Sequence, residues 1–249
     1  MTNYIKADVS RILRKNSFFT AVGLFLLLYI IMVFIYFNPS FTAEMYVAKL
    51  TSYLSYYPLI VGLLVFICVY VDDFKCKSMQ TAIGYGFSRT RIIVAKLLES
   101  SLLLLGVGII MALVVNIVPI LIGLDIDSIQ HLNLTLTMMV EVLRTVGYIA
   151  ISAIAVFASQ NATNGIIFYV LFSTKSVYIV LSMILGQDII VNTIGDLTKY
   201  LYTQQLYTIK TAIIHEETSV VAFIVSIMVY VIVPTIISNI IFKKKELEF

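Results

Sequence analysis

From Phe18 to Phe37 no charged side chain occurs, and five further stretches of similar length are almost as apolar: Tyr53 to Val71, Leu102 to Leu124, Leu134 to Phe157, Ile166 to Leu185 and Val220 to Phe242. Only Glu141, Arg144 and Lys175 interrupt them. A helix of about 20 residues crosses a hydrocarbon layer of about 30 Å. A membrane-spanning barrel would instead show short alternating segments, because its strands face lipid and lumen in turn. The runs are continuous, so the predicted fold class is an all-α integral membrane protein with six transmembrane helices, forming one transmembrane domain over residues 1–249. Composition agrees: 12% of residues are charged and the mean hydropathy is +0.99, where soluble domains carry about 25% charge. The first sixteen residues are polar and basic, without a short apolar core or a small-residue cleavage site. No cleaved signal is expected.

Lysine and arginine near the ends of spans resist translocation, so their distribution predicts orientation. The N-terminal segment has Lys6, Arg11, Arg14 and Lys15, the loop after the second run has Lys75, Lys77, Arg89, Arg91 and Lys96, and the C-terminus has Lys243, Lys244 and Lys245. The first and third loops hold Glu44, Asp125 and Asp127 against the single cation Lys49. Both termini are therefore expected on the cytoplasmic side of the cell membrane. Tyr36, Tyr53, Tyr70 and Tyr178 fall toward span ends, where an amphipathic ring suits the headgroup zone.

Three segments outside the runs carry further pattern. In residues 1–17, Ile5, Val9, Ile12 and Leu13 share a helical face while Lys6, Arg11, Arg14 and Lys15 lie elsewhere, which predicts a helix in the membrane interface feeding into the first span. The plainer alternative is a basic tail that only sets topology. Residues 186–219 place Leu197, Tyr200, Leu201, Leu206 and Tyr207 so as to predict one or two short helices resting on the outer membrane face. In residues 72–91 a short helix through "FKCKSMQTAIGYG" should stop at Gly84 and Gly86, and Ser88 should cap the helix that follows. Met79, Ile83 and Tyr85 are expected to be exposed on that helix and to suit a partner's groove. The alternative is a cationic anchor whose apolar residues rest on lipid.

These features, with "GFSRTRIIVAKLLES" opening the third span, resemble the permease subunits of ABC-2 type (type V) ABC exporters. The resemblance covers the whole chain in architecture, and in residue pattern Asp73 to Leu98 together with the N-terminal helix. The chain carries "DDFKCK" where members commonly have a glutamate and a glycine. The resemblance implies that the inner loop is a coupling helix docking into a separate cytoplasmic ATPase through Ser78, Met79, Gln80, Thr81, Ala82, Ile83 and Tyr85. It implies a second contact by the elbow helix through Ile5, Val9, Arg11, Ile12 and Arg14, and an outer stretch that re-enters the outer leaflet. Two ATPase copies and a second permease, identical or related, would complete the assembly. Export of, or immunity to, amphipathic peptides fits such a small permease better than sodium, drug or lipid-linked cargo.

The sequence contains no G-x-x-x-x-G-K-[ST] loop to cradle a triphosphate, so ATP hydrolysis would belong to a partner. Neither H-E-x-x-H nor G-x-S-x-G occurs, and His131 and His215 are the only histidines. No catalytic residue, cofactor, metal or nucleic-acid partner is expected. Cys68 and Cys76 match neither a ligand spacing nor a disulfide framework. Charges inside spans cost about 2.5–3.5 kcal/mol on insertion scales, so they face a cavity or each other. Glu141 and Arg144, three apart, can pair along one helix; Glu99 lies one turn from Lys96 at the inner end of its span. Lys175 has no acid on its own helix and needs a partner from elsewhere, such as Glu141, or a water-filled path. Asn116, Pro58, Pro119 and Pro234 are ordinary in membrane helices. A self-sufficient ion channel or proton-coupled transporter using Lys175 and Glu141 is the competing reading, and a non-transporting membrane scaffold is a third.

Overall fold

The computed structural model describes residues 1–215 and 225–245, and every element among them is helical. Helix α1 (Thr2–Leu13) leads directly into α2 (Asn16–Tyr36). Helix α3 (Ala43–Phe74) follows, then the short α4 (Ser78–Gly84), α5 (Arg89–Leu121) and α6 (Ser128–Ser159). Helices α7 (Ala162–Ser173) and α8 (Ser176–Leu185) are joined at Lys175, and α9 (Asp188–Ile194) leads through a tight turn at Thr198–Tyr200 to α10 (Tyr202–Ile214) and α11 (Val225–Lys244).

Five of these helices, α2, α3, α5, α6 and α11, are long and apolar enough to cross a membrane. The fifth expected span is where the sequence placed it, but it is broken: α7 and α8 meet at 57°, and they make a sixth crossing only if taken together. The break has a local cause. Ser173 and Thr174 turn their hydroxyls back onto the Val170 carbonyl at 3.1 and 2.9 Å, which competes with helical bonding, and Lys175 takes a left-handed conformation with φ 61°. Several helices begin ahead of the apolar runs, at Ala43, Arg89 and Ser128. Capping explains the last two starts. Ser88 accepts from the Arg91 amide, as its position predicted, and Asp127 forms a reciprocal box with Gln130. The expected start of the last span at Val220 and the end of the outer stretch at Ser219 lie outside the described residues.

Helix α6 is the axis of the molecule, with α3, α5, α7, α10 and α11 packed around it. Small residues on α6, Gly147, Ala150, Ser152 and Ala153, let neighbours approach closely. By contrast α2 buries only the stripe Phe18, Phe25, Tyr29 and Val33 and leaves its other faces open, as suits a helix against lipid. Helix α3 widens into π-helical turns at Pro58–Gly62 and Ile67–Val71. Pro58 cannot donate to the preceding turn, and side chains from neighbouring helices use the backbone there. Tyr169 donates to the Pro58 carbonyl at 2.5 Å and Arg144 to that of Ser55 at 2.8 Å.

In the outer segment α10 lies along α6: Tyr202 donates to the Leu143 carbonyl at 2.6 Å, Tyr148 and Thr203 share a 2.7 Å hydrogen bond, and Lys210 donates to Asn133 at 3.0 Å. Its tyrosines and lysine find their polar partners on α6, which draws the helix inward. A Cβ on Gly147 would stand 2.3 Å from the Tyr202 ring, whose hydroxyl is already committed to Leu143. Gly147→Ala is therefore expected to cost about 1–3 kcal/mol by overpacking. Gly106→Ala, with nothing within 4 Å, should be neutral or slightly stabilising. Melting temperatures of the two purified variants in detergent check this, and an unchanged melt for Gly147→Ala would contradict the close packing of α10.

Candidate functional site

Two clusters of charge stand out, one at the base of α4 and one midway along α6. The first centres on Lys96, which is fully buried in α5. Its ammonium meets Asp8 of α1, Asp73 of α3 and Glu99 of its own helix, the last at 2.9 Å. Arg11 reaches Asp73 at 2.9 Å and Asp8 at 2.5 Å, and Lys15 pairs with Asp72. Tyr4 covers the ammonium, with its ring centroid 5.3 Å away. Burial pushes the Asp8 carboxyl up, but Lys96 and then Arg11 outweigh it and hold the group below its ordinary value. Three helices are thus tied into one ionic knot.

Helix α4 sits beside this knot. It stops at Gly84, and Gly86 turns the chain with φ 87°, as the glycines predicted. The orientation of the helix, however, corrects the expected exposure of Met79. That side chain is 5% exposed and Ala82 7%; both face the body of the protein, and Ile83 packs partly against the core. An amphipathic seven-residue helix cannot hold itself, so its apolar side is used for attachment. What faces outward is Thr81 and, at 83% exposure, Tyr85. Ser78 lies against the Asp73 carbonyl at 3.4 Å. Met79, Gln80 and Ile83 also border a recess of about 60 Å³ closed by Gln160 and Phe242.

On its other flank the loop is fixed to α11. Arg89 donates to the carbonyls of Phe242 at 2.5 Å and Lys245 at 2.6 Å, capping that helix, and Thr90 meets Asn239 at 2.9 Å. Of the elbow residues, Ile12 is fully buried, Ile5 and Val9 are half-buried, Arg11 joins the knot and Arg14 stays exposed. Leu13, on the same apolar face, is 42% exposed. It lies beside an apolar cleft of about 410 Å³ between α2 and α5.

The second cluster is built around the predicted pair. Glu141 and Arg144 are both buried and 2.5 Å apart. Tyr207 of α10 donates to Glu141 at 2.9 Å and accepts from Arg144 at 2.8 Å, so three groups close a ring. Lys175 does not join it as a salt bridge: among the described residues no carboxylate lies within 4 Å of its ammonium, which sits 5.9 Å from the centroid of the Tyr207 ring. The distribution of partners follows from geometry. Arg144, one turn along the same helix, takes the carboxylate that Lys175 would need. Lys210 completes the group, donating among the described residues to neutral oxygens of Asn133 at 3.0 Å and Thr137 at 3.2 Å.

Sequence reasoning identified Glu141, Arg144 and Lys175 but missed Asp8, Asp73, Tyr207 and Lys210. An i, i+3 spacing reveals pairs within one helix, whereas these partners come from segments far apart in sequence. Cys68 is buried and Cys76 exposed, and both are free; no set of three metal-ligating side chains gathers among the described residues. The chain matches no protein-family model, no curated protein and no solved structure.

Proposed function

We propose that this chain is the permease half of an ATP-driven exporter, with both termini in the cytoplasm, joined by a second permease and by two copies of a cytoplasmic ATPase. One observation carries the reading: α4 is bracketed by the Lys96 knot on one side and the Arg89 cap on the other. A force applied to α4 would reach α1, α3, α5 and α11 together. A loop serving only topology has no use for such bracing. Closure of the ATPases would shift α4 and rock the helices against those of the second permease, moving cargo by differential stability of two states. The cargo suited to a small permease of this kind is an amphipathic peptide.

In this arrangement Met79 and Ala82 anchor α4 to its own chain, and Tyr85 with Thr81 meets the ATPase. An exposed aromatic at the centre of a contact is a typical source of binding energy. Tyr85→Asp should weaken association by about 2 kcal/mol, roughly 30-fold, and leave the melting temperature of the permease unchanged. The measurement is affinity purification of the tagged chain from its native membranes, followed by titration of the copurified ATPase. Purification of intact chain with no ATPase, or equal affinity for the Tyr85→Asp variant, would count against the exporter. The competing channel or proton-coupled transporter relies on Lys175 with Glu141, and it would conduct in proteoliposomes lacking any ATPase.

A further inference from the structure

The Lys96 knot does not balance its charges. Lys96 and Arg11 face the three carboxyl groups of Asp8, Asp73 and Glu99, while Lys15 and Asp72 beside them cancel, so the described groups carry one more negative charge than positive. Among the described residues no further cation pairs with the knot. Its remaining polar neighbours are two phenols, Tyr4 of α1 and Tyr70 of α3, and burial pushes the Tyr4 hydroxyl up to about 12, which keeps it neutral. The surplus is shielded from water: Lys96 and Glu99 are fully buried and Asp73 is nearly so.

The carboxyl groups are not served equally. Asp8 and Asp73 each meet both cations, whereas Glu99 meets Lys96 alone, through Oε2 at 2.9 Å, and its Oε1 is buried without a hydrogen-bond partner. Glu99 also faces the Asp8 carboxyl within hydrogen-bond reach, so one carboxyl from α5 and one from α1 stand together at a site short of positive charge. Two carboxyls so placed do not ionise independently, and their titration belongs to the pair. We propose that Asp8 and Glu99 share one exchangeable proton, and that α1 is clasped firmly to α5 only while that proton is bound. The proton cancels the surplus charge and turns a repulsive contact between two helices into a hydrogen bond. Its loss leaves like charges face to face, with the Arg11 contacts still restraining α1. Free carboxyls give up their protons at about pH 4, so a folded chain that keeps one above that value loses stability as pH rises. The clasp does not depend on the exporter reading, because it requires neither ATP nor a partner chain.

The test uses the full chain in neutral detergent between about pH 6 and about pH 9 and reads the proton and the helix separately. Infrared difference spectra should show the band of a protonated carboxyl that grows as pH falls through this range. The band should vanish in Glu99→Gln, which removes the carboxyl, and in Asp8→Asn, where the charges balance without a proton. Hydrogen–deuterium exchange of the α1 amides is compared with Glu99→Gln at the same pH, so that intrinsic exchange cancels. Wild type and variant should exchange alike at about pH 6, and the wild type about tenfold or more faster at about pH 9. A wild-type chain with no such band anywhere in the range would overturn the shared proton, whether or not a variant folds, and so would a band that survives Glu99→Gln. A proton lost on schedule with no pH-dependent change in the exchange ratio would overturn the clasp.

Discussion

Lys96→Met should be among the most damaging single substitutions in the chain, lowering stability by about 3–5 kcal/mol, because one buried ammonium answers three carboxylates on three helices. After its loss Asp8 and Asp73 keep Arg11, but Glu99 has no other cation within ion-pair distance among the described residues. The α1 helix should then detach from α5, so limited trypsin digestion should cut at Arg11, Arg14 and Lys15 in the variant well before it does so in the wild type. Adding Glu99→Gln removes the stranded charge and should recover part of the melting temperature, since the two sites share one interaction. The same double variant separates structure from coupling. If the proposed ATPase acts through α4 and this knot, the refolded body should still bind that ATPase but fail to stimulate hydrolysis. Wild-type melting and wild-type proteolysis of Lys96→Met would show that the knot holds nothing.

The all-helical fold, the long helices apolar enough to cross a membrane, the glycine stop after α4 and the Ser88 cap were all legible in the sequence, because each rests on local physics: apolar run length, φ freedom and capping chemistry. The Glu141–Arg144 pair was legible for the same reason, as neighbours one turn apart. What could not be read depends on distant segments meeting. Asp8 looks like one more polar residue of a surface helix until α5 brings Lys96 to it. Met79 looks like a docking residue until the body of the protein covers it. Nothing in the sequence around Tyr207 and Lys210 points to the carboxylate, the guanidinium and the two neutral oxygens that α6 offers them. Hydropathy places a segment near lipid but does not tell which side of a short helix faces its own chain. The break at Lys175 lies between these cases. A lysine in a span signals a cost, and the adjacent serine and threonine supply a local means of ending the helix, yet the direction of the bend is set by packing.

Glu141→Gln should lower stability by about 3–5 kcal/mol, because it leaves Arg144 charged and buried with only a tyrosine hydroxyl, a backbone carbonyl and an amide for company. The effect of Arg144→Met should be smaller. A carboxyl can lose its charge by taking a proton, whereas a guanidinium keeps its charge at any pH the protein survives, so the two halves of the pair are unequal when left alone. The double variant removes both charges and should recover most of the loss, with a coupling energy of about 2–3 kcal/mol between the sites. Tyr207 supplies the control: Tyr207→Phe keeps the ring over Lys175 while removing the hydroxyl that joins Glu141 to Arg144, and should cost about 1–2 kcal/mol as a lost buried hydrogen bond. Melting temperatures of the wild type and the four variants in one detergent measure the coupling, and transport by the reconstituted double variant decides between a structural pair and a pathway charge. For a structural pair, the double variant should melt near the wild type and transport at a normal rate. If Glu141 instead carries protons or cargo, the double variant should recover its stability without recovering transport, and the ring formed by Glu141, Tyr207 and Arg144 would then be part of the conducting machinery.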